Sequence, residues 1–178
     1  MKHFFLPLLI LIVTTAAFAQ KLTPVNEGSK VAFKIKNFGF NVGGSFSGLK
    51  GSIEFDPVKP ASASFDISID ANTVNTDNDS RDNHLREATY FDVKNYPLIH
   101  FVSTRVKASD KKGGFLISGR LTIKKETKDI SFPFTATESN GAYIFDGEFK
   151  ISRRDFGVGG SSTLSDNVGV SLHIISKK

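Results

Sequence analysis

The sequence predicts an all-β protein, an antiparallel barrel or a sandwich, with one short helix. Apolar and polar residues alternate with a period of two over several runs, which is typical of strands with one buried face. Turn signals separate these runs at fairly even spacing, and only residues 80–91 have helical spacing. The chain has 178 residues, a length that suits one domain with a sizeable core.

The first strand shows the alternation clearly, because Val31, Phe33 and Ile35 alternate with lysines at 30, 34 and 36. Runs of the same kind occur at 65–70, 115–123, 130–134, 143–151 and 168–174, whereas the pattern of 98–103 indicates a strand that is apolar on both faces. The turn signals between runs are Asp56-Pro57, Lys59-Pro60, 112–114 (KGG) and Asn140-Gly141.

The second strand breaks its alternation near the middle. Phe46 lies on one register, whereas Ile53 and Phe55 lie on the other, and Gly48 and Gly51 stand at the change. Glycine at such a change indicates a bulge or a sharp bend.

Residues 80–91 predict a short helix that crosses between strands or lies over one end of a barrel. Ser80 is the expected N-cap and Asp82 lies in the first turn. Leu85, Ala88 and Phe91 fall on one face at helical spacing.

Composition limits the classes of function. The absence of cysteine excludes a disulfide framework and a thiolate nucleophile. No basic block is interleaved with aromatic residues, so nucleic acid is not an expected partner. The net charge of +5 suits an anionic partner or simply solubility. The 17 phenylalanines, with three tyrosines and no tryptophan, suit an apolar ligand chain and equally suit a packed β core.

Motifs for catalysis and metal binding are weak. His84, His100 and His173 do not share the i, i+2 or i, i+4 spacing of metal ligands, so we expect no metal and no cofactor. Residues 43–47 (GGSFS) nearly match a nucleophile elbow but lack its final glycine, and no helix follows. We therefore expect a protein that is not an enzyme.

The central segment, 70–104, contains a short charged stretch at 80–85, S-R-D-N-H-L, which is followed by Tyr90-Phe91 and Tyr96-Pro97. It resembles the signature of the YceI-like family of exported lipid-binding proteins. The segment F-G-F-N-V-G-G-S-F-S-G, G-R-L-T-I at 119–123 and R-R-D-F-G at 153–157 resemble the same family in the same order.

The resemblance implies an eight-stranded antiparallel lipocalin-like barrel over residues 20–178 that holds one long amphiphile, a polyisoprenoid or a fatty-acid derivative. It would carry, store or sequester this lipid in the periplasm. A packed barrel with a structural or stress-response role, and a lipid-modifying enzyme, are the alternatives. A transient contact with a membrane surface and a homodimer stay open as partners.

Residues on the apolar registers are the predicted lumen. They are Phe33, Ile35, Phe46, Phe55, Phe65, Ile67, Phe91, Phe101, Ile117, Leu121, Phe132, Phe134, Phe149 and Leu172. The candidates for a polar head group are Arg81, His84, His100 and Arg154. The alternative is structural, with Arg81 and Asp82 bound to backbone or to Arg154 and Asp155 so that they pin the helix.

Residues 1–19 predict a cleaved signal peptide. Lys2 and His3 precede an apolar run over 4–13 that is too short to span a membrane. Ala17-Phe18-Ala19 then supplies a signal-peptidase site.

We expect exported protein to begin at Gln20, because cleavage follows the small residue at 19. N-terminal mass analysis of protein from its own host measures this directly. Met1 retained on membrane-embedded protein would contradict the prediction.

Overall fold

The computed structural model describes residues 20–160 and 163–178, so the predicted signal peptide lies outside the described residues. The strands are β1 (Gln20–Asn37), β2 (Phe40–Phe55), β3 (Ser64–Asn75), β4 (Leu98–Ala108), β5 (Gly114–Ile123), β6 (Glu126–Ser139), β7 (Ala142–Ser152) and β8 (Leu164–Lys177). The helix α1 (Asp79–Arg86) follows β3, and short 3₁₀ turns occur at Pro60–Ser62 and Arg153–Phe156. Across these described ranges, none of the helices has the length and apolarity required to cross a membrane.

The eight strands form one closed barrel in chain order. Every strand pairs antiparallel with its neighbours, and β8 closes the barrel against β1. The predicted all-β, eight-stranded antiparallel barrel with a short crossing helix is therefore confirmed. Closure removes the free sheet edges on which another chain could add a strand.

The bend predicted in β2 is present. Pairing of β2 with β3 shifts register between Ser45 and Ser47 and again between Ser47 and Lys50. Gly48 has φ +72° and Gly51 has φ +131°, values that L side chains rarely adopt. A Cβ at Gly51 would lie 1.9 Å from the carbonyl oxygen of Asp66.

One end of the barrel is filled by an aromatic plug, which we define as Phe55, Phe65, Phe115, Phe134, Tyr143 and Phe145. Phe55 lies at its centre, 1% exposed, with ring centroids 5.2 Å from Phe115 and 5.3 Å from Phe145 in edge-to-face geometry. Burial, followed by the charges of Glu138 and Asp56, raises the pKa of Tyr143 above its ordinary value of 10.0. The plug closes the end of the barrel where β2, β4, β6 and β8 finish.

The opposite end is covered by α1 and the turns after it. The helix begins at Asp79 and ends at Arg86, so the predicted span of 80–91 is too long. The cap is Asn78 rather than Ser80, because the Asn78 side chain accepts from the backbone N–H of Arg81. Glu87 is extended and ends the helix, and the chain continues in turns that carry Phe91 back to the interior.

We expect Gly51→Ala to lower the free energy of unfolding by about 2 kcal/mol or more, because the new Cβ meets backbone at a strained φ. Chemical denaturation measures the loss. Gly43→Ala in the same strand is the control, since its Cβ would meet its nearest atom at an ordinary 3.6 Å. Equal stability of the two variants would contradict the close approach at Gly51.

Candidate ligand-binding cavity

An apolar cavity of about 470 Å³ occupies the barrel between the aromatic plug and α1. All eight strands contribute side chains to it, because period-two alternation points every second residue inward. Phe33 and Ile35 of β1, for example, line the cavity, while Lys34 and Lys36 of that strand are exposed. The lining is almost entirely aliphatic and phenyl carbon.

All of the predicted lumen residues except Phe55 line the cavity. These are Phe33, Ile35, Phe46, Phe65, Ile67, Phe91, Phe101, Ile117, Leu121, Phe132, Phe134, Phe149 and Leu172. Their contact with a ligand stays a prediction.

Phe55 needs a correction. Its side chain faces inward as the alternation indicates, but it lies within the aromatic plug and does not reach the cavity. Alternation predicts the face of a strand on which a residue lies, whereas height along the barrel axis depends on strand stagger.

Further cavity residues were not singled out by the sequence. They include Val42, Leu49 and Ile53 of β2, Ile99 of β4, and Val168, Val170 and Ile174 of β8. The β8 residues lie on the inward register of their run, so alternation alone indicates that they face the lumen. A list of lumen residues that favours phenylalanine omits these aliphatic side chains.

The mouth of the cavity lies beside α1, where Arg81 and His84 contribute to its lining. Arg81 donates from Nε to Thr76 Oγ1 and from Nη2 to the Thr76 carbonyl oxygen, each at 2.7 Å. Asp82, 5% exposed, accepts from the backbone N–H of Thr76 at 2.9 Å and from its hydroxyl. The helix is thus pinned to the end of β3 through Thr76.

His84 is an exposed part of this mouth. Its Nδ1 lies 3.1 Å from Glu87 Oε2, and its ring lies 4.9 Å from that of Tyr90. The imidazole therefore stands where a polar head group would emerge from the cavity, and that role stays a prediction.

Two head-group candidates lie elsewhere. His100 points outward, with Nε2 2.7 Å from Asp66 Oδ1, because its neighbours Ile99 and Phe101 take the inward register. Arg154 is exposed and donates to Asp166 instead of reaching the cavity. Neither pairs with α1, so the suggested contact of the helix with Arg154 and Asp155 is replaced by Thr76.

Arg153 is a cavity residue that the sequence reasoning missed. It is 4% exposed, and its guanidinium donates to the carbonyl oxygens of Val158 at 2.9 Å and Ser165 at 3.0 Å. The signal was present, because Arg153 continues the inward register of Ile151 by two residues. These bonds tie the turn after β7 to the start of β8.

Within residues 20–160 and 163–178, histidine, aspartate and glutamate do not gather in threes in a way that could hold a metal ion. The polar groups at the mouth instead bond to the scaffold, as Arg81, Asp82 and Arg153 show.

The architecture defines a closed antiparallel barrel with an apolar, ligand-sized cavity. The model of the YceI-like domain matches residues 22–175, and the chain belongs to the YceI-like family. A UPF0312 protein of Yersinia enterocolitica is 29% identical over 152 residues, which covers 82% of this chain and 78% of the relative.

Solved structures agree with this fold. BcnA of Burkholderia cenocepacia superposes with a TM-score of 0.81 at 26% identity, over 85% of this chain and 98% of that one. A polyisoprenoid binding domain from Saccharophagus degradans, implicated in plant cell wall breakdown, shares the fold with a TM-score of 0.71 at 16% identity, over 90% of this chain and 99% of that one.

We expect Asp82→Ala to lower the free energy of unfolding by about 1–3 kcal/mol, because the buried donors of Thr76 lose their acceptor. Thermal and urea melts measure the change. Asp79→Ala is the matched control, since this exposed carboxylate of the same helical turn contributes only about 0.3–1 kcal/mol through the helix dipole. Equal losses in the two variants would show that Thr76 is not the anchor.

Proposed function

We propose that the protein is a non-enzymatic lipid-binding protein that holds the apolar chain of a long amphiphile, a polyisoprenoid or a fatty-acid derivative, inside the barrel. The observation that carries this proposal is the apolar cavity of about 470 Å³. Its volume falls within the range of about 300–1,000 Å³ that is common for small-ligand pockets.

The polarity of the cavity favours an amphiphile over a polar metabolite. Water has few partners in an apolar cavity, so a hydrocarbon chain gains roughly 25 cal/mol for each Å² of apolar surface that it buries, before the costs of binding. The aromatic plug closes one end, and Arg81 and His84 stand at the other. A chain would therefore enter tail first, with its head group at the mouth.

The cavity also favours a carrier over a packed barrel that holds no ligand. Packed interiors have few voids larger than a water molecule, because side chains that line a void lose dispersion contacts. Phe33, Phe101 and Phe149 face such a void. An apolar ligand would restore those contacts, which supports the carrier over the structural protein.

Catalysis is the weaker alternative. Three polar residues of the cavity lining, Thr76, Arg81 and Arg153, bond to one another, to the carboxylates of Asp82 and Asp166, or to backbone carbonyl groups. Their hydrogen-bonding capacity supports the scaffold. The proposal therefore assigns binding without chemistry, for transport, storage or sequestration, in the periplasm after removal of residues 1–19.

Native mass spectrometry of protein purified from its own host tests the proposal. We expect an added mass that matches one lipid and that disappears after delipidation. A protein that carries no added mass, and that takes up neither a polyisoprenoid nor a fatty acid when these are supplied, would contradict the carrier function.

We expect Phe101→Trp to weaken lipid binding by roughly tenfold, because the larger ring occupies the volume that the chain would fill. Titration with a fluorescent fatty acid measures the affinity. Leu98→Trp is the matched control, since Leu98 is an exposed residue of the same strand on the opposite register. Unchanged affinity for Phe101→Trp would argue against a ligand in the cavity.

A further inference from the structure

The β1–β2 hairpin tip, which we define as Phe38, Gly39 and Phe40, exposes two aromatic rings. Phe38 is 74% exposed and Phe40 is 78% exposed. Single exposed apolar residues are ordinary, but two phenylalanines on either side of one glycine at a tight turn form an aromatic projection. Neither ring packs in the interior of the protein.

The tip stands at the mouth of the cavity. Asn37 and Val42, which flank it, both line the cavity, and Asn37 Oδ1 accepts from Thr163 Oγ1 at 2.8 Å. Phe40 shares the register of Val42, so its ring continues the lumen face beyond the rim. Anything that enters or leaves the cavity at this side passes the tip.

Folding alone favours a different residue at position 38. Phe38 and Gly39 both have positive φ, +48° and +83°, as a two-residue hairpin of this kind requires. The β6–β7 hairpin has the same geometry, with φ +52° at Asn140 and +77° at Gly141. Asparagine tolerates this conformation, whereas a bulky residue there is an outlier. Phe38 is thus unfavourable for both conformation and exposure, which indicates a role outside folding.

The hairpin around the tip is purely basic. Residues 28–53 contain lysines at 30, 34, 36 and 50 and neither aspartate nor glutamate. Lys36 and Lys34 are exposed on β1 and point away from the cavity, two and four residues before Phe38. The projection therefore presents aromatic rings in front of positive charge, which complements an anionic surface.

We propose that the hairpin tip docks the protein on an anionic lipid bilayer, with Phe38 and Phe40 in the interface and Lys34 and Lys36 against lipid head groups. Aromatic rings with flanking lysines bind reversibly to such interfaces. Two rings are far smaller than a stable protein–protein interface of about 1,200 Å² or more. The inference extends the proposed lipid-binding function, because docking brings the mouth of the cavity to the bilayer.

Co-sedimentation with vesicles tests the docking. The vesicles are phosphatidylcholine alone and phosphatidylcholine with one quarter phosphatidylglycerol. We expect binding to the anionic vesicles, and at least a tenfold weaker affinity for Phe38→Asn combined with Phe40→Thr. Lys34→Gln combined with Lys36→Gln should lose roughly tenfold at low salt and less at high salt.

Two controls keep the result specific. Val58→Thr removes an apolar side chain that is 83% exposed at the plug end of the barrel, and it should leave vesicle binding unchanged. Phe38→Asn reproduces the favourable Asn-Gly pair of the β6–β7 hairpin, so the melting temperature of this variant should stay the same or rise. All variants are purified after export from the host, with the N-terminus at Gln20 checked by mass, so the apolar run at 4–13 does not itself bind the vesicles.

Three outcomes would overturn the docking: wild-type protein that ignores anionic vesicles, variants at the tip that bind like wild type, or a wild-type dimer in sedimentation that Phe38→Asn abolishes. The last would assign the tip to a second copy of the chain. A fatty-acid titration without vesicles is run on the same proteins. Failure there, with vesicle binding intact, would reject the proposed function and leave the docking standing.

Discussion

Closure of the sheet is the constraint on which the rest of this structure depends. Once β8 pairs with β1, every inward residue points to a common axis, and the volume along that axis must be filled by side chains or by something else. Six aromatic residues fill it at one end. Nearer the helix, the inward positions hold valines such as Val168 beside phenylalanines such as Phe33 and Phe149, and together they leave about 470 Å³ unfilled. The cavity is therefore the part of the barrel axis that the inward side chains do not fill.

The two ends of the barrel also differ in the contacts that hold them together. At the plug end, edge-to-face contacts around Phe55 bind the strands together without any polar requirement. At the mouth, order comes from hydrogen bonds, with Thr76 joining Arg81 and Asp82, and Arg153 joining the carbonyl groups of two segments. Thr76, Asp82 and Arg153 are buried, so these hydrogen bonds are costly to leave unmade. The two ends of the barrel are thus held by different forces, apolar contacts at the plug and directional hydrogen bonds at the mouth.

Most of the fold could be predicted from the sequence, because alternation and turn signals are local. The break in β2 at Gly48 and Gly51 was visible for the same reason. Local patterns do not encode how far along the barrel axis a residue lies. Phe55 therefore lies in the plug, although it is on an inward register like the residues of the cavity. Partner choice is a second limit. Asp82 lies only six positions after Thr76, but every residue of the stretch 76–82 is polar, so the sequence does not single out this pairing.

The errors at the mouth have a shared cause. Chemistry alone predicts His100 and Arg154 as head-group residues, whereas the register of Ile99 and Ile151 indicates an outward histidine and an inward Arg153. Register is the stronger guide in a barrel, because a one-residue slip would reverse every side chain on the strand. On β1 and β2, Asn37 and Val42 are the last residues before the tip that line the cavity. Phe40 lies on the same register as Val42, but it is exposed and lies outside the cavity. In the docking that we propose, this exposed ring lies where a lipid tail would pass between the bilayer and the barrel.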